Sequence, residues 1–315
     1  MAENLFSLFL RSRLFRKLKK SIIIFGSNSQ DGFYLNELLR GTQFEIINVS
    51  RTSGDFLGSV GNFEFVENLI SRIQPEFVFH FAATSSTNHN VTLENNSSIC
   101  LGTLNILESV KLHSLNTKIF ISGSALQFKN NGVPIDEKTP FDYETTYAIS
   151  RIYSVNLARY YRKKFGIKAY VGYFFNHDSP FRSEKHINQK VVSQVVRIIR
   201  GSTGKLIIGD MNVKKEFSYA KDVVDAVWKL VNQNRFYETV IGSGVAYSIE
   251  EWVNYCFKKH SLDWKDYVII DDSFKSDYKI LVSNPQRIMG LGWQPRTNIF
   301  ELADLMLQSE FNKTI

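Results

Sequence analysis

Between residues 21 and 176 the chain repeats one pattern, a short run of β-branched and aromatic residues followed by a longer segment of helical character. The runs are "SIIIFG" (21–26), "FEIINVS" (44–50), "EFVFHFAA" (76–83), "KIFISGS" (118–124) and "KAYVGYFFN" (168–176). Most of them lack the strict polar–apolar alternation of a half-exposed strand, so they read as strands covered on both faces, joined by crossover helices. The pattern predicts the α/β class: a Rossmann-type doubly wound parallel sheet whose ligands lie beyond the carboxyl ends of the strands, where Gly26, Ala82, Ser124 and Asn176 fall. After residue 176 the alternation becomes irregular, with loop signals at "NHDSPFRSEK" and "GDMNVKKEF". Residues 21–175 are therefore expected to hold the sheet, and residues 176–315 mainly a smaller C-terminal lobe, with some segments returning to the sheet.

At 315 residues the chain is long enough to bury a large core. Its two cysteines, Cys100 and Cys256, lie far apart and have no neighbouring ligand cluster, so neither a disulfide framework nor a metal site is expected and a cytoplasmic setting fits best. No apolar run approaches the length of a membrane span. The net charge of +7 is concentrated at one end, because six basic residues against Glu3 give residues 1–20 a charge of +5 and leave only +2 for the other 295. A nearly neutral body argues against a nucleic-acid partner. Within residues 1–20 an apolar part precedes the basic part, the reverse of a secretory signal, and the segment is expected either to pack or fray as an extension or to touch an anionic membrane surface weakly as an amphipathic helix.

The first turn, "FGSNSQDG", has the form G-x-x-S-x-x-G, with Gly26 and Gly32 flanking Ser29. It follows a strand and opens a helix, the setting in which backbone N–H groups and the helix dipole hold a pyrophosphate. Gly26, Asn28, Ser29, Gln30, Asp31 and Gly32 are accordingly candidate cofactor contacts, together with Ala82 and Ala83 after the third run. At the end of the second run no Asp or Glu awaits a ribose 2′-hydroxyl; Arg51 stands there, followed by Thr52 and Ser53. That choice of residue favours a 2′-phosphate, and so NADP over NAD.

The stretch "TTYAISR" (145–151) places Tyr147 and Arg151 four residues apart, on one face of a helix. A phenol needs a neighbouring positive charge to act as a base at neutral pH. Together with "GSNSQDGFYLNELL", "FFNHDSPFRSE", "AKDVVDAVW", "GSGVAYSIEEWV" and "NPQRIMGLGWQP", this stretch resembles the extended short-chain dehydrogenase/reductases of the nucleotide-sugar epimerase/dehydratase kind, most of all the GDP-mannose 4,6-dehydratase family, from about residue 21 to 308. The resemblance implies a cytoplasmic homodimer or homotetramer acting on a GDP-sugar. It implies that Ser124 hydrogen-bonds the sugar C4 oxygen, that Tyr147 removes or returns the C4 hydroxyl proton, and that Asn176, Lys190 and Lys215 contact the nucleotide.

Four positions depart from the family pattern. Leu126 stands where the dehydratases carry the acid that serves elimination, Ser59 where an Asp lies near the adenine, Phe217 where a tryptophan is usual, and Arg151 where the helix carries lysine. Arginine keeps the charge but differs in shape, and it does not give up a proton. The groups that remain suffice for hydride exchange at C4, as in 4-ketosugar reduction or C4 epimerisation, whereas dehydration needs more. The expectation is therefore NADP-dependent C4 chemistry on a GDP-hexose. Two alternatives stand beside it: 4,6-dehydration proper, and a nucleotide-sugar-binding pseudoenzyme or non-catalytic subunit.

Overall fold

The structure, a computed structural model, describes residues 20–313 apart from Ser85, Thr87 and Lys275. The expectation of a packed or membrane-surface extension thus lies, but for Lys20, outside the described residues. Seven strands make one sheet: β1 (Ser21–Phe25), β2 (Glu45–Ser50), β3 (Phe56–Leu57), β4 (Phe77–His80), β5 (Lys118–Ser124), β6 (Lys168–Phe174) and β7 (Glu238–Ile241). Their spatial order is β7-β6-β5-β4-β1-β2-β3, and every pairing is parallel. The five apolar runs all form strands. The third stops at His80 instead of continuing to residue 83, since Phe81 makes one last bond to the Phe25 carbonyl (2.9 Å) before the chain leaves the ladder.

Among the described residues, eight helices of ten or more residues accompany the strands: α1 (Gln30–Leu39), α2 (Phe63–Ile73), α3 (Gly102–His113), α4 (Thr146–Phe165), α5 (Ile187–Ile199), α6 (Ala220–Val231), α7 (Ile249–Lys258) and α8 (Ile299–Asn312). The apolar runs are continuous because both faces of the sheet are covered. Along β1, Ile23 and Phe25 enter the core formed with α2, α3 and α4, while Ile22 and Ile24 enter the core formed with α1 and α6. From the second half of the chain, α6 and β7 thus return to the sheet. A third core joins α5, α7 and α8 around Trp252, Phe257, Leu302 and Met306, all fully buried, with Phe217 stacked on Trp252 at 5.2 Å. Side chains of this size contribute roughly 1.5–3 kcal/mol each when buried. Among the described residues no helix is long and apolar enough to cross a membrane, and no group of three or more His, Cys, Asp or Glu is placed to hold a metal ion.

The turn between β1 and α1 depends on two glycines. Gly26 has φ +84°, and a Cβ there would lie 2.6 Å from the Ala82 nitrogen; a Cβ on Gly32 would lie 2.6 Å from the Gly26 carbonyl oxygen. The first position needs the left-handed conformation that glycine adopts freely, and both need the absence of a side chain. The Ser29 hydroxyl accepts the Gly32 N–H (3.1 Å) and so caps α1.

The start of α1 also seats the first loop of the second half. Gln30 donates its amide to the His177 carbonyl (3.2 Å) and accepts from the Ser179 hydroxyl (2.9 Å). Between them His177 Nε2 lies 3.0 Å from Asp31 Oδ1, and Nδ1 lies 2.8 Å from the Phe175 carbonyl oxygen. Neither oxygen can donate, so the two contacts favour the doubly protonated, charged imidazole. Burial opposes that charge, but the Asp31 carboxylate and its hydrogen bond outweigh burial and hold the His177 pKa above its ordinary value, against a smaller opposing effect of Arg182. A raised folded-state pKa contributes stability that is present in full below the unfolded value and is lost as pH rises through the folded one. Asp31→Asn should therefore destabilise the chain by about 1–3 kcal/mol near pH 6. Thermal unfolding of both proteins followed from about pH 6 to 9 should show that deficit shrinking as pH rises; a deficit that does not vary with pH would contradict the charged pair.

Candidate active site

The strand order reverses at β1, whose neighbours are β2 on one side and β4 on the other, and a crevice opens there beyond the carboxyl ends. It contains a cavity of about 160 Å³ lined by Gly26, Asn28, Ser29, Arg51, Ala82 and Ala83, with Thr52, Ser59 and Thr84 among its polar neighbours. Asn28 donates to the Thr52 hydroxyl (3.0 Å), tying the glycine turn to the loop after β2. Gln30, Asp31 and Gly32 do not line the cavity. Gln30 and Asp31 hold His177 and Ser179, and Gly32 permits the close turn. A turn of minimal thickness, the N-terminus of a ten-residue helix and a rim of hydroxyls with one guanidinium together fit a dinucleotide.

Tyr147 and Arg151 lie in the first turns of α4, which is capped by Thr145 accepting the Ala148 N–H (3.0 Å) and closed by Gly166 at φ +70°. Both side chains are buried, at 7% and 5% exposure. Arg151 Nε–H donates to the Tyr147 hydroxyl oxygen at 3.2 Å, and the guanidinium carbon lies 5.1 Å from the centre of the phenol ring. The far end of the guanidinium is fixed by β5, where Nη1 donates to the Ser122 carbonyl (2.6 Å) and hydroxyl (2.9 Å). The Ser122 hydroxyl in turn donates a hydrogen bond to the His80 carbonyl (3.2 Å). Burial, and then the charge of Arg151, push the His80 pKa down to about 3, so this neighbour is neutral and adds no second positive charge.

Ser124 ends β5 and accepts the Leu126 N–H (3.2 Å), while its own N–H goes to the Gln127 side-chain oxygen (2.9 Å). This reciprocal cap holds the single helical turn Ala125–Gln127 and leaves the Ser124 O–H to donate to a ligand. Leu126 packs against the core shared with α2, α3 and α4. It supplies no proton-transferring group.

A polar cluster lies beyond β6. The short strands His177–Asp178 and Ser218–Tyr219 pair in parallel, and the Ser218 N–H bonds the Asn176 carbonyl (3.2 Å). Asp178 faces Arg182 (3.0 Å) and accepts from the Asn188 amide (2.6 Å). Burial lowers the pKa of Lys215, a shift opposed by the charge of Asp178 and reinforced by that of Arg182. The Asn176 side-chain oxygen is buried and makes no hydrogen bond. Asn176 and Lys215 therefore share one neighbourhood, whereas Lys190, on α5, is engaged with the Ile207 carbonyl (2.8 Å). A second hollow, of about 390 Å³, includes Asp210, Glu250, Asp271 and Asp272 in its lining. Its carboxylates oppose a phosphate.

Three participants were not evident from the sequence. Ser122 on β5 holds Arg151 of α4, and Glu94 lies 3.0 Å from Arg51 across the cavity rim; no spacing signalled either contact. Arg182, four residues after Asp178, carried a weak signal in that interval.

Comparison with known proteins agrees with this geometry. Residues 56–306 match the family described as GDP-mannose 4,6 dehydratase. GDP-mannose 4,6 dehydratase 2 of Arabidopsis thaliana is 27% identical, with 93% of this chain and 87% of that protein aligned, and GDP-mannose 4,6-dehydratase of Vibrio cholerae is 27% identical over 77% and 72%. Among solved structures, RMD from Pseudomonas aeruginosa complexed with NADPH superposes with a TM-score of 0.83 at 18% identity, covering 94% of this chain and all of that one. dTDP-glucose 4,6-dehydratase from Bacillus anthracis, in complex with NAD, gives 0.81 at 17% identity, covering 92% and 96%. The glycine turn, the tyrosine-bearing helix and the crevice between them thus sit in a chain that belongs to the GDP-mannose 4,6-dehydratase family.

Proposed function

We propose that this protein is an NADP-linked enzyme of the cytosol that moves a hydride at C4 of a GDP-hexose, by 4-ketosugar reduction or C4 epimerisation. The observation that carries this reading is the bond from Arg151 Nε–H to the Tyr147 hydroxyl, held in place by Ser122, beside a Leu126 that has no proton to transfer. The dinucleotide, when bound, accepts or supplies the hydride. Oxidation of a C4 alcohol removes hydride from carbon and a proton from oxygen. Tyr147 takes that proton, Arg151 stabilises negative charge on the phenol oxygen, and the Ser124 O–H donates to the sugar oxygen as it becomes a carbonyl. Reduction runs the same steps backward. Asn176 and Lys215, with Arg182, offer an amide and two cations to the diphosphate, and the GDP specificity is inferred from the family. Eliminating water across C5 and C6 would need a group to take the C5 proton and help expel the C6 hydroxyl, and Leu126 can do neither.

With GDP-mannose and NADP the purified protein should form little 4-keto-6-deoxy product, yet it should exchange a labelled hydride with a GDP-4-ketosugar. Product analysis by mass spectrometry separates the two, and efficient dehydration would favour the dehydratase reading and sink this choice of reaction.

The roles of Tyr147 and Arg151 predict a graded series. Tyr147→Phe should lower hydride exchange by about 10²-fold or more while leaving nucleotide affinity within about twofold. Arg151→Met should also lower it, by loss of the cation, and Arg151→Lys should keep or raise it. Single-turnover rates and calorimetric affinities are the measurements. An active parent indifferent to Tyr147→Phe would refute the assignment. A parent inactive on every GDP-sugar, gaining activity only with lysine at 151, would identify a binding protein.

A further inference from the structure

Arg51 and Glu94 are the charged side chains on the lining of the crevice cavity, and they face each other, with Arg51 Nη2 lying 3.0 Å from Glu94 Oε1. Arg51 follows β2, whereas Glu94 comes from the short helix Thr92–Asn95 on the opposite rim, just before the π-helical turn Asn96–Leu101. We propose that Glu94 is a cofactor-specificity residue, whose carboxylate reads the 2′ position of the adenosine ribose and restrains Arg51, so that the cavity separates a 2′-phosphate from a 2′-hydroxyl only weakly. This rests on the reading of the cavity as the adenosine seat of a nicotinamide dinucleotide.

The two ligands make different demands on the pair. A 2′-hydroxyl can donate to the Glu94 carboxylate while Arg51 stays where it is. A 2′-phosphate carries close to two negative charges near neutral pH, as other phosphate monoesters do, and must draw Arg51 away from Glu94, then remain beside a carboxylate that repels it. A hydrogen bond from Thr84, followed by the bond and charge of Arg51, holds the Glu94 carboxyl below the usual carboxylate range. The repulsion is thus present throughout the neutral range. The pair is also exposed, with 68% of the Arg51 side chain open to solvent, and exposed pairs contribute little to stability. Its consequence lies in what it does to a ligand at the rim. The strand-end position that carries an acid in a hydroxyl-reading crevice is Arg51 here, and the fold returns a carboxylate to the same place from another segment.

The test is calorimetric titration of the full chain with NADP, NAD, 2′,5′-ADP and 5′-ADP. The parent should bind NADP more tightly than NAD by no more than about tenfold. Glu94→Gln should tighten NADP and 2′,5′-ADP by about five- to tenfold while leaving NAD and 5′-ADP within about twofold or weaker, and Glu94→Asp should behave as the parent does. Arg51→Ala should weaken NADP and narrow its lead over NAD. If Glu94→Gln leaves the ratio of the two cofactors unchanged, or shifts both equally as a purely structural change would, the proposal is overturned. If the parent binds none of the four nucleotides, it is the assignment of the cavity that fails.

Discussion

A close backbone approach at two glycines governs the layout of the site. Gly26 lies against the start of the segment after β4, and Gly32 lies against the Gly26 carbonyl, with no room for a methyl group at either place. That packing brings the N-terminus of α1 onto the carboxyl edge of the sheet, so that partial positive charge faces the crevice. It also aims Gln30 and Asp31 at residues 177–179, through which the second half of the chain is fastened to the first. A side chain at Gly26 or Gly32 would therefore disturb the ligand cradle and the seam together.

Arg151 illustrates how a changed side chain is accommodated. A lysine ammonium is a compact charge, whereas a guanidinium is a planar fork that must have several acceptors when buried. β5 supplies two of them through Ser122, and Tyr147 supplies a third. His80 is kept neutral by burial and by the guanidinium itself. The cation is thus satisfied without a carboxylate, which leaves its charge directed at the phenol oxygen. Leu126 is the complementary case: an apolar side chain on the same turn as Ser124, packed against the core, leaves that turn with a hydroxyl and no acid.

Charge at the crevice rim and in the loops after β6 is arranged in opposed pairs. Arg51 meets Glu94, His177 meets Asp31, and Arg182 meets Asp178 with Lys215 close by. Pairing lets these groups stay ionised at or beneath the surface, and it also means that an anionic ligand must compete with a resident carboxylate. The proton held by His177 makes the seam sensitive to pH in the neutral to alkaline direction, opposite to the acid sensitivity expected of the depressed carboxylates.

The fold class was legible because burial on both faces leaves a signature in every strand: apolar runs such as "SIIIFG" and "KIFISGS" announce a parallel sheet whatever their neighbours. The glycine turn and the Tyr147–Arg151 face were legible for a similar reason, since a turn and a helical repeat are set by residues close in the chain. What the sequence could not determine were contacts between segments that meet only after the sheet has formed. Arg51 marks the end of a strand, but whether it is free or facing a carboxylate depends on where Glu94 is carried. Gln30 and Asp31 stand in a cofactor-binding motif by position, yet their side chains turn toward the loop at 177–179. Arg151 announces a positive charge, and only β5 crossing beneath it decides where that charge points. Local periodicity records which face of an element is buried; the partner on that face is chosen by tertiary packing, and so are the hydrogen bonds that make it chemically useful.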